Sequence, residues 1–262
     1  MNKFIAILAL ALVVSNVHAD QWAVIVAGSN GYWNYRHQSD TCHAYQILKA
    51  HGYTADKIIH MAYDDIANNS QNPFPGKLYN KTNGSDVYGG CVIDYKGADV
   101  TPDNYLRILK GQSSATLTKV LKSTAADTVF LNFSDHGAPG LVAFPSQYLY
   151  ATDLLAAIQF MWDNKMYSKL VYYLEACESG SMFANLPKTI KAYATSASNA
   201  TESSWAYYCG ADAVVSGTNI GSCLGDLYSI VWMEDTDKNI GGETLAAQYQ
   251  TMVKLTTQSN PL

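Results

Sequence analysis

Several features that would place a chain in a specialised class are missing from this sequence. Charged residues make up only 15% of its 262 positions and the net charge is −5, so it lacks the basic excess that a nucleic-acid surface needs. It also lacks long runs of like charge, low-complexity tracts and internal repeats. These absences argue against a nucleic-acid partner and against a repeat architecture.

Long apolar segments are missing beyond the N-terminus. The first residues carry Lys3, an apolar run over residues 4–14 that is too short to cross a bilayer, and a small residue, Ala19, at the end of "VHA". This pattern predicts a secretory signal peptide over residues 1–19 and no membrane span after its removal. The alternative is an uncleaved N-terminal anchor, which the cleavage-like end does not favour.

Glycosylation sequons fit that secretory route. Asn68, Asn80, Asn83 and Asn199 each begin an Asn-x-Ser/Thr pattern. Asn132 also matches, but it lies within an apolar, strand-like run, so we expect no glycan there. The pattern is common by chance and supports the route only weakly.

The remaining chain, residues 20–262, has the size and the 48% hydrophobic content of one globular domain. Strand-like apolar runs alternate in it with helical patterns. This alternation predicts an α/β fold with a mainly parallel sheet and helices on both faces, and functional groups at the carboxyl ends of the strands. The predicted strands are 22–27, 57–63, 128–133, 169–174 and 191–195, and the predicted helices are 40–50, 102–110, 116–123, 153–162, 224–232 and 244–255.

Cysteine is scarce, with five residues in the chain, and an odd number leaves at least one thiol unpaired. No C-x-x-C motif and no zinc-type Cys/His spacing is present, so neither a metal nor another cofactor is expected. Cys209 and Cys223 bracket a loop rich in small residues, which a disulfide would restrict. Cys42 is interpreted as a buried core thiol, and Cys91 has no evident partner.

Two candidate catalytic groups follow predicted strands. The stretch "YYLEACESGS", residues 172–181, runs from a strand into Cys177, and "SDHG" places His136 after another strand. A thiol needs an imidazole or an electropositive setting to act as a nucleophile. Gly137 and Gly180 leave room for main-chain N–H groups to approach an oxyanion. The residues alone leave a core thiol and a catalytic thiol as equal alternatives.

A resemblance to known proteins favours the catalytic alternative. "EACESG" has the layout of the caspase signature Q-A-C-[RQG]-G without matching it. A closer resemblance is to the legumain family of asparaginyl endopeptidases, and it runs from residue 21 to about residue 256. It implies a caspase-like fold, cleavage of peptide bonds after asparagine and weaker cleavage after aspartate at acid pH. The segments that carry it include "WAVIVAGSNGYWNYRHQSDTCHAYQILK", "SDHG", "KMYSKLVYYLEACESGSM", "YATSASNATESSW" and "LGDLYSIVWMEDTD".

The resemblance also implies roles for individual residues. Cys177 resembles the nucleophile, His136 the general acid/base, and Asn34 the group that orients the histidine. Gly137 and the main-chain N–H of Cys177 resemble an oxyanion hole. Asp135 resembles an aspartate linked to ligase activity, so peptide ligation through the same acyl-enzyme is a further expectation.

A specificity pocket is implied in the same way. A pocket with a cation and carboxylates can satisfy both ends of an asparagine amide, which has one acceptor and one pair of donors. Without the resemblance, Arg36 and Asp226 would be interpreted as a surface salt bridge. In plant-type members a disulfide-closed loop borders the substrate groove, and the Cys209–Cys223 loop resembles it. The expected pocket lining is Arg36, His37, Glu175, Ser203, Ser204, Trp205 and Asp226.

The expected partners are polypeptides with asparagine before the scissile bond and cystatin-type inhibitors, in a lysosome or vacuole or after secretion. Two departures from the family pattern stand out. "LKGQ" replaces an Arg-Gly-Asp motif, so no integrin-type interaction is expected. The helical C-terminal pro-region of family proenzymes is absent from this chain, so residues 20–262 are expected to be the catalytic domain alone.

Two other functions remain alternatives at this point. The catalytic subunit of a GPI-anchor transamidase shares the His and Cys frame, but it usually has a membrane span or partner subunits. A non-catalytic binding module on the same fold is the other alternative. The presence of Asn34, His136 and Cys177 together argues against it.

Overall fold

The computed structural model describes residues 19–239 and 242–262. The predicted signal peptide, except for its last residue, therefore lies outside the described residues. Among the helices that are described, none combines the length and the apolar character needed to cross a membrane.

A five-stranded parallel sheet forms the centre of the fold, with strands in the order β2-β1-β3-β7-β8. The predicted mainly parallel sheet is confirmed. Continuous apolar runs form these strands because both faces of the sheet are buried. The strands are β1 Gln21–Ala27, β2 Ile58–Met61, β3 Thr128–Ser134, β7 Lys169–Glu175 and β8 Ala192–Ser196.

Short antiparallel strands lie in the loops at the carboxyl edge of this sheet. One set forms a three-stranded sheet, and two pairs each form a small ladder. The three-stranded sheet contains β4 Gly137–Ala138, β5 Leu141–Ala143 and β6 Tyr148–Tyr150. The ladders pair β9 Ala206–Tyr207 with β12 Gly225–Asp226, and β10 Val214–Val215 with β11 Thr218–Asn219.

Helices cover both faces of the sheet, as predicted. Buried side chains of α2 and α3 pack on one face, and those of α1, α4 and α5 pack on the other. The Thr101 side chain accepts the N–H of Asn104 at the start of α2, where Pro102 takes the first helical position. The helices are α1 Tyr35–Ala50, α2 Pro102–Leu109, α3 Ala151–Asp163, α4 Leu227–Lys238 and α5 Leu245–Leu255.

The helix predicted over residues 116–123 is wrong, because the segment is irregular. Its apolar residues are buried in the core, but two of its main-chain N–H groups have partners in distant parts of the fold. The N–H of Lys119 donates to the Tyr95 hydroxyl at 2.8 Å, and that of Leu121 donates to the Ile108 carbonyl at 3.1 Å. Tertiary hydrogen bonds replace the helical ones.

The interpretation of two cysteines is also wrong. Cys42 is not a free core thiol, because it forms a disulfide with Cys91 across 49 positions of sequence. This disulfide joins the first half of α1 to the loop after β2. The predicted disulfide between Cys209 and Cys223 is present in the structure.

Two of the five sequons are buried. The Asn80 side chain is 2% exposed, and its amide donates to Asp40 at 2.7 Å. Asn132 is likewise 2% exposed, within β3. Asn68 and Asn83 are exposed, and Asn199 is half-buried, so these three remain accessible acceptors in the folded protein.

Candidate active site

Strand register brings His136 and Cys177 to the same edge of the sheet. Strands β3 and β7 are parallel neighbours, and their last residues, Ser134 and Glu175, are register partners. His136 lies two positions after Ser134, and Cys177 lies two positions after Glu175. The N–H of Asp135 donates to the Glu175 carbonyl at 3.1 Å and continues the pairing to the point where the strands end.

Glycine at position 137 allows the two loops to approach each other. A Cβ on Gly137 would overlap the main-chain carbonyl oxygen of Cys177 and lie 3.0 Å from the Cβ of Ala176. Strand β4 begins at Gly137, and the N–H of Ala143 donates to the His136 carbonyl at 2.9 Å. The hairpin therefore fixes the main chain of His136 while its glycine lies directly against the cysteine loop.

His136 has a hydrogen-bonded partner on the loop after β1. Its Nε2 lies 2.9 Å from Oδ1 of Asn34, and the Asn34 amide donates in turn to the Asn30 carbonyl at 3.0 Å. Asn34 is the N-cap residue of α1. Burial, followed by the positive charge of Arg36, lowers the pKa of His136. The imidazole is therefore oriented, and its neutral form is favoured.

Cys177 alone carries a free thiol among the five cysteines, all of which lie in the described residues. Its side chain is half-buried, and Sγ lies 3.7 Å from the carbonyl oxygen of Ser204. The sequence predicted one unpaired thiol, and the structure leaves this one available at the strand end.

A nearly buried ion pair lies beside these groups. Arg36, in the first turn of α1, donates through Nε to Oδ1 of Asp226 at 2.8 Å. Nε2 of His37 lies 3.5 Å from the other oxygen of Asp226, and Nδ1 lies 3.1 Å from Oδ1 of Asp135. Burial and the neighbouring Arg36 charge lower the pKa of His37 well below its ordinary value. His37 is therefore neutral and lies between two carboxyl groups, but neither of these two contacts is a hydrogen bond.

Glu175 supplies a further buried carboxyl group. Its Oε2 accepts the N–H and the hydroxyl of Ser229 at 2.9 and 3.0 Å, at the start of α4. Burial, and then the charge of Asp226, raises the pKa of Glu175 to about 8. In the described part of the chain, neither Oε1 of Glu175 nor Oδ2 of Asp226 has a hydrogen-bond partner.

Asp40 was not predicted from sequence. It is 1% exposed, and its oxygens accept from Asn80 at 2.7 Å and from the Ser134 hydroxyl at 3.1 Å. Burial, with the charges of Asp226 and Glu175 beside it, raises its pKa well above the ordinary value, and burial does the same for Asp135. Its only sequence signal is an acidic residue among the uncharged polar residues Gln38, Ser39 and Thr41 near the start of α1.

The three consecutive residues expected to line the pocket are partly or fully exposed. Ser203 is exposed, Ser204 is half-buried, and Trp205 is 50% exposed. The Trp205 carbonyl accepts the N–H of Leu227 at 2.8 Å, and the next residue pairs with Asp226 in the β9–β12 ladder. This segment is therefore fixed beside the ion pair.

A cavity of about 480 Å³ opens next to Arg36. Trp33, 79% exposed, and the Cys209–Cys223 loop line it. The loop therefore lies beside Arg36, and a disulfide limits its movement.

Two clusters of potential metal ligands occur among the described residues. The thiols of the first, Cys42 and Cys91, are joined to each other beside His60. The second is formed by His37, Asp135 and His136, whose donor atoms lie within 4.8 Å of one another. One nitrogen of each ring has a hydrogen-bond partner: Nδ1 of His37 lies 2.7 Å from the Ser29 hydroxyl, and Nε2 of His136 lies 2.9 Å from Oδ1 of Asn34.

We expect the contribution of Glu175 to the free energy of unfolding to fall as pH rises from about 4.5 to about 8, whereas buried His37 and His136 contribute in the opposite sense. Folded Glu175, with a pKa of about 8, holds a proton that the unfolded chain releases above its ordinary pKa. One titrating group of this kind changes the free energy of unfolding by at most about 1.4 kcal/mol per pH unit. Urea denaturation of the Glu175→Gln variant across this range should give a free energy of unfolding that changes with pH by a less negative slope than in the wild type. Glu178→Gln, in the same loop, is the matched control, and equal slopes in all three proteins would contradict the assignment.

A family comparison matches this chain over residues 21–261 with the description "Peptidase C13 family". The chain belongs to the peptidase C13 family. Among solved structures, the caspase-1 of Spodoptera frugiperda is similar with a TM-score of 0.55 over 93% of this chain and 85% of that one. The identity is 8%, so this likeness shows the fold alone, which is caspase-like as expected.

Curated relatives of this C13 chain include proteins with three different names. Legumain of Mus musculus is 49% identical over 91% of this chain and 54% of the relative. Vacuolar-processing enzyme of Vicia sativa is 49% identical over 92% and 50%, and hemoglobinase of Schistosoma mansoni is 49% identical over 92% and 55%. The C13 chain thus spans about half the length of the curated relatives that it matches.

Proposed function

We propose that this chain is the catalytic part of a cysteine endopeptidase that cleaves peptide bonds after asparagine. One observation carries the specificity. Two buried carboxyl oxygens, Oε1 of Glu175 and Oδ2 of Asp226, lack hydrogen-bond partners in the described structure and lie in the same cluster as Arg36. Unpaired buried polar atoms are costly, and a ligand that pairs them gains that free energy.

An asparagine side chain has the complementary groups. Its carbonyl oxygen can accept from the Arg36 guanidinium and from Glu175, which is protonated below about pH 8 because its pKa is about 8. Its NH2 group can donate to the free oxygen of Asp226. A side chain without both functions would leave part of this pocket unpaired.

The proposed chemistry uses the groups at the strand ends. His136, oriented by Asn34, takes the thiol proton as Sγ of Cys177 attacks the scissile carbonyl carbon. The main-chain N–H groups of Gly137 and Cys177 stabilise the oxyanion. When the C–N bond breaks, His136 gives its proton to the leaving amine. Water then attacks the thioester with His136 as base, and the thiol is released.

Paired fluorogenic peptides test this function. We expect kcat/KM for Ala-Ala-Asn to exceed that for Ala-Ala-Asp by at least about tenfold at neutral pH, because a substrate carboxylate meets the Asp226 charge. Cleavage after aspartate should rise as pH falls toward about 4, near the pKa of the substrate carboxyl group. Ala-Ala-Gln, which has the same amide on a longer side chain, is the substrate control. Equal rates on all three peptides would exclude the proposed pocket.

The same acyl-enzyme supports two further proposals. An amine in place of water would give peptide ligation, and buried Asp135, next to His136 and 3.1 Å from His37, is the residue proposed to influence that outcome. A GPI-type transamidase is the alternative outcome of the peptide assay. Folded protein with a reactive Cys177 and no activity on any peptide would favour it.

A lysosomal or vacuolar compartment, or secretion, is the proposed location. One relative is named vacuolar-processing enzyme, and two disulfides are typical of oxidising compartments. The proposed partners are polypeptides with asparagine before the scissile bond, and cystatin-type inhibitors that would occupy the same cleft.

A further inference from the structure

Residues 259–262, here called the C-terminal segment, lie against two loops of the site. The N–H of Leu262 donates to the Ser196 carbonyl at 3.2 Å, and the N–H of Ser196 donates to the Leu262 carbonyl at 2.8 Å. These bonds extend the edge of β8. A Cβ on Gly180 would lie 2.9 Å from Cδ1 of Leu262, so the segment also touches the loop that follows Cys177.

Glu202 connects this segment to the pocket wall. Its Oε1 accepts the main-chain N–H of Asn260 at 2.7 Å, and its Oε2 accepts the side-chain amide of Asn260 at 2.8 Å. Oε1 also accepts the N–H of Asn199 at 2.9 Å. Partial burial opposes ionisation, but these three hydrogen bonds outweigh it and lower the pKa of Glu202. Both carboxylate oxygens are therefore engaged.

The main chain of Glu202 reaches the loop that carries the thiol. Its carbonyl accepts the N–H of Glu178, the residue after Cys177, at 2.8 Å. Glu178 has a φ of 48°, a left-handed conformation that is uncommon for a residue with a side chain and needs support from its surroundings. Two positions after Glu202, the carbonyl of Ser204 lies 3.7 Å from Sγ of Cys177.

We propose that Glu202 and Asn260 are positioning residues through which the C-terminal segment holds the substrate-binding residues Ser203–Trp205 against Cys177. Neither residue contacts the reacting atoms. Their effect passes through the backbone of Glu202, which is bonded to the thiol loop and leads directly into the pocket wall. The proposal deepens the proposed function and rests on it, because it assumes that these residues bind substrate.

A purely structural role makes a different prediction. It would lower stability without a selective effect on substrate binding. The positioning role moves the pocket wall relative to a thiol whose own reactivity stays the same. KM should therefore rise while kcat changes little, and the alkylation of Cys177 by iodoacetamide should keep its wild-type rate.

The decisive test exchanges the carboxylate and the amide between positions 202 and 260. Asn260→Asp removes the amide donor and places a second carboxylate opposite Glu202, whereas Glu202→Gln weakens the acceptor. Each variant should lower kcat/KM by about tenfold. The double variant has the amide and the carboxylate in exchanged positions, so it can form the bond again. Gln258→Glu, exposed two residues before Asn260, adds the same charge as Asn260→Asp and is the matched control.

The measurements are made on the peptide that the wild type cleaves fastest, whichever residue precedes its scissile bond. If the asparagine preference is wrong, the wild type shows it. If Glu202 and Asn260 do not position the pocket wall, only the variants show it. Near-ultraviolet circular dichroism checks that each variant is folded. A double variant with kcat/KM above both single variants supports the proposal. A lower value, or single variants equal to the Gln258→Glu control, overturns it.

Discussion

Replacement of Cys177 by alanine should lower kcat/KM for the Asn peptide by about 10⁴-fold or more. The reason is the absence of a substitute nucleophile, since the other four cysteines are in disulfides. Without the thiol no thioester forms, and the oxyanion hole and pocket can only bind the peptide. Steady-state hydrolysis of the fluorogenic peptide measures the loss.

Thiol titration provides the control for this variant. Unreduced wild-type protein should take up iodoacetamide at Cys177 alone, and the Cys177→Ala protein should take up none. An unchanged melting temperature would show that the variant is folded. Residual hydrolysis within tenfold of the wild type would contradict the proposed mechanism, because it would require another nucleophile.

Gly137→Ala should reduce kcat by about 10²- to 10³-fold, the loss typical of a missing oxyanion donor. The added Cβ would overlap the Cys177 carbonyl oxygen, which belongs to the main chain and cannot rotate away. The β4 strand must therefore move away from the thiol loop, and its N–H moves with it. Single-turnover kinetics on the Asn peptide would separate this loss from weaker binding.

Gly140→Ala is the matched control in the same hairpin. Gly140 has a φ of +75° and nothing within 4 Å of the position of its Cβ, so alanine there strains the backbone without a clash. We expect this variant to lose about 1–2 kcal/mol of stability and to retain its kcat. If the two variants lost activity equally, hairpin strain rather than displacement of the Gly137 N–H would explain both results.

The position of the site could be predicted from sequence because it depends on strand ends. Cys177 and His136 each follow an apolar run, and the parallel arrangement of β3 and β7 brings such ends together. The pairing of Arg36 with Asp226 is different. The two residues are separated by 190 positions, so no local pattern relates them, and their expected place in one pocket depended on the resemblance to the legumain family.

The errors have a common physical origin in contacts between distant segments. The segment 116–123 has a helical pattern, but the Tyr95 hydroxyl and the Ile108 carbonyl take its N–H groups. The pairing of Cys42 with Cys91 depends on where the loop after β2 lies, which no local signal specifies. Asp40 became part of the site only because α1 packs its carboxyl group against Ser134 at the end of β3.

The disulfide between Cys42 and Cys91 has a consequence for how the active protein is made. It ties down α1, whose first turn holds Arg36 and whose N-cap is Asn34. During oxidative folding five thiols compete, and only one pattern of pairing joins both correct pairs and leaves Cys177 unpaired. One non-native disulfide to Cys177 would block the nucleophile. It would also leave one cysteine of a native disulfide unpaired. The yield of working enzyme is thus decided by the accuracy of pairing during synthesis as well as by the stability of the final fold.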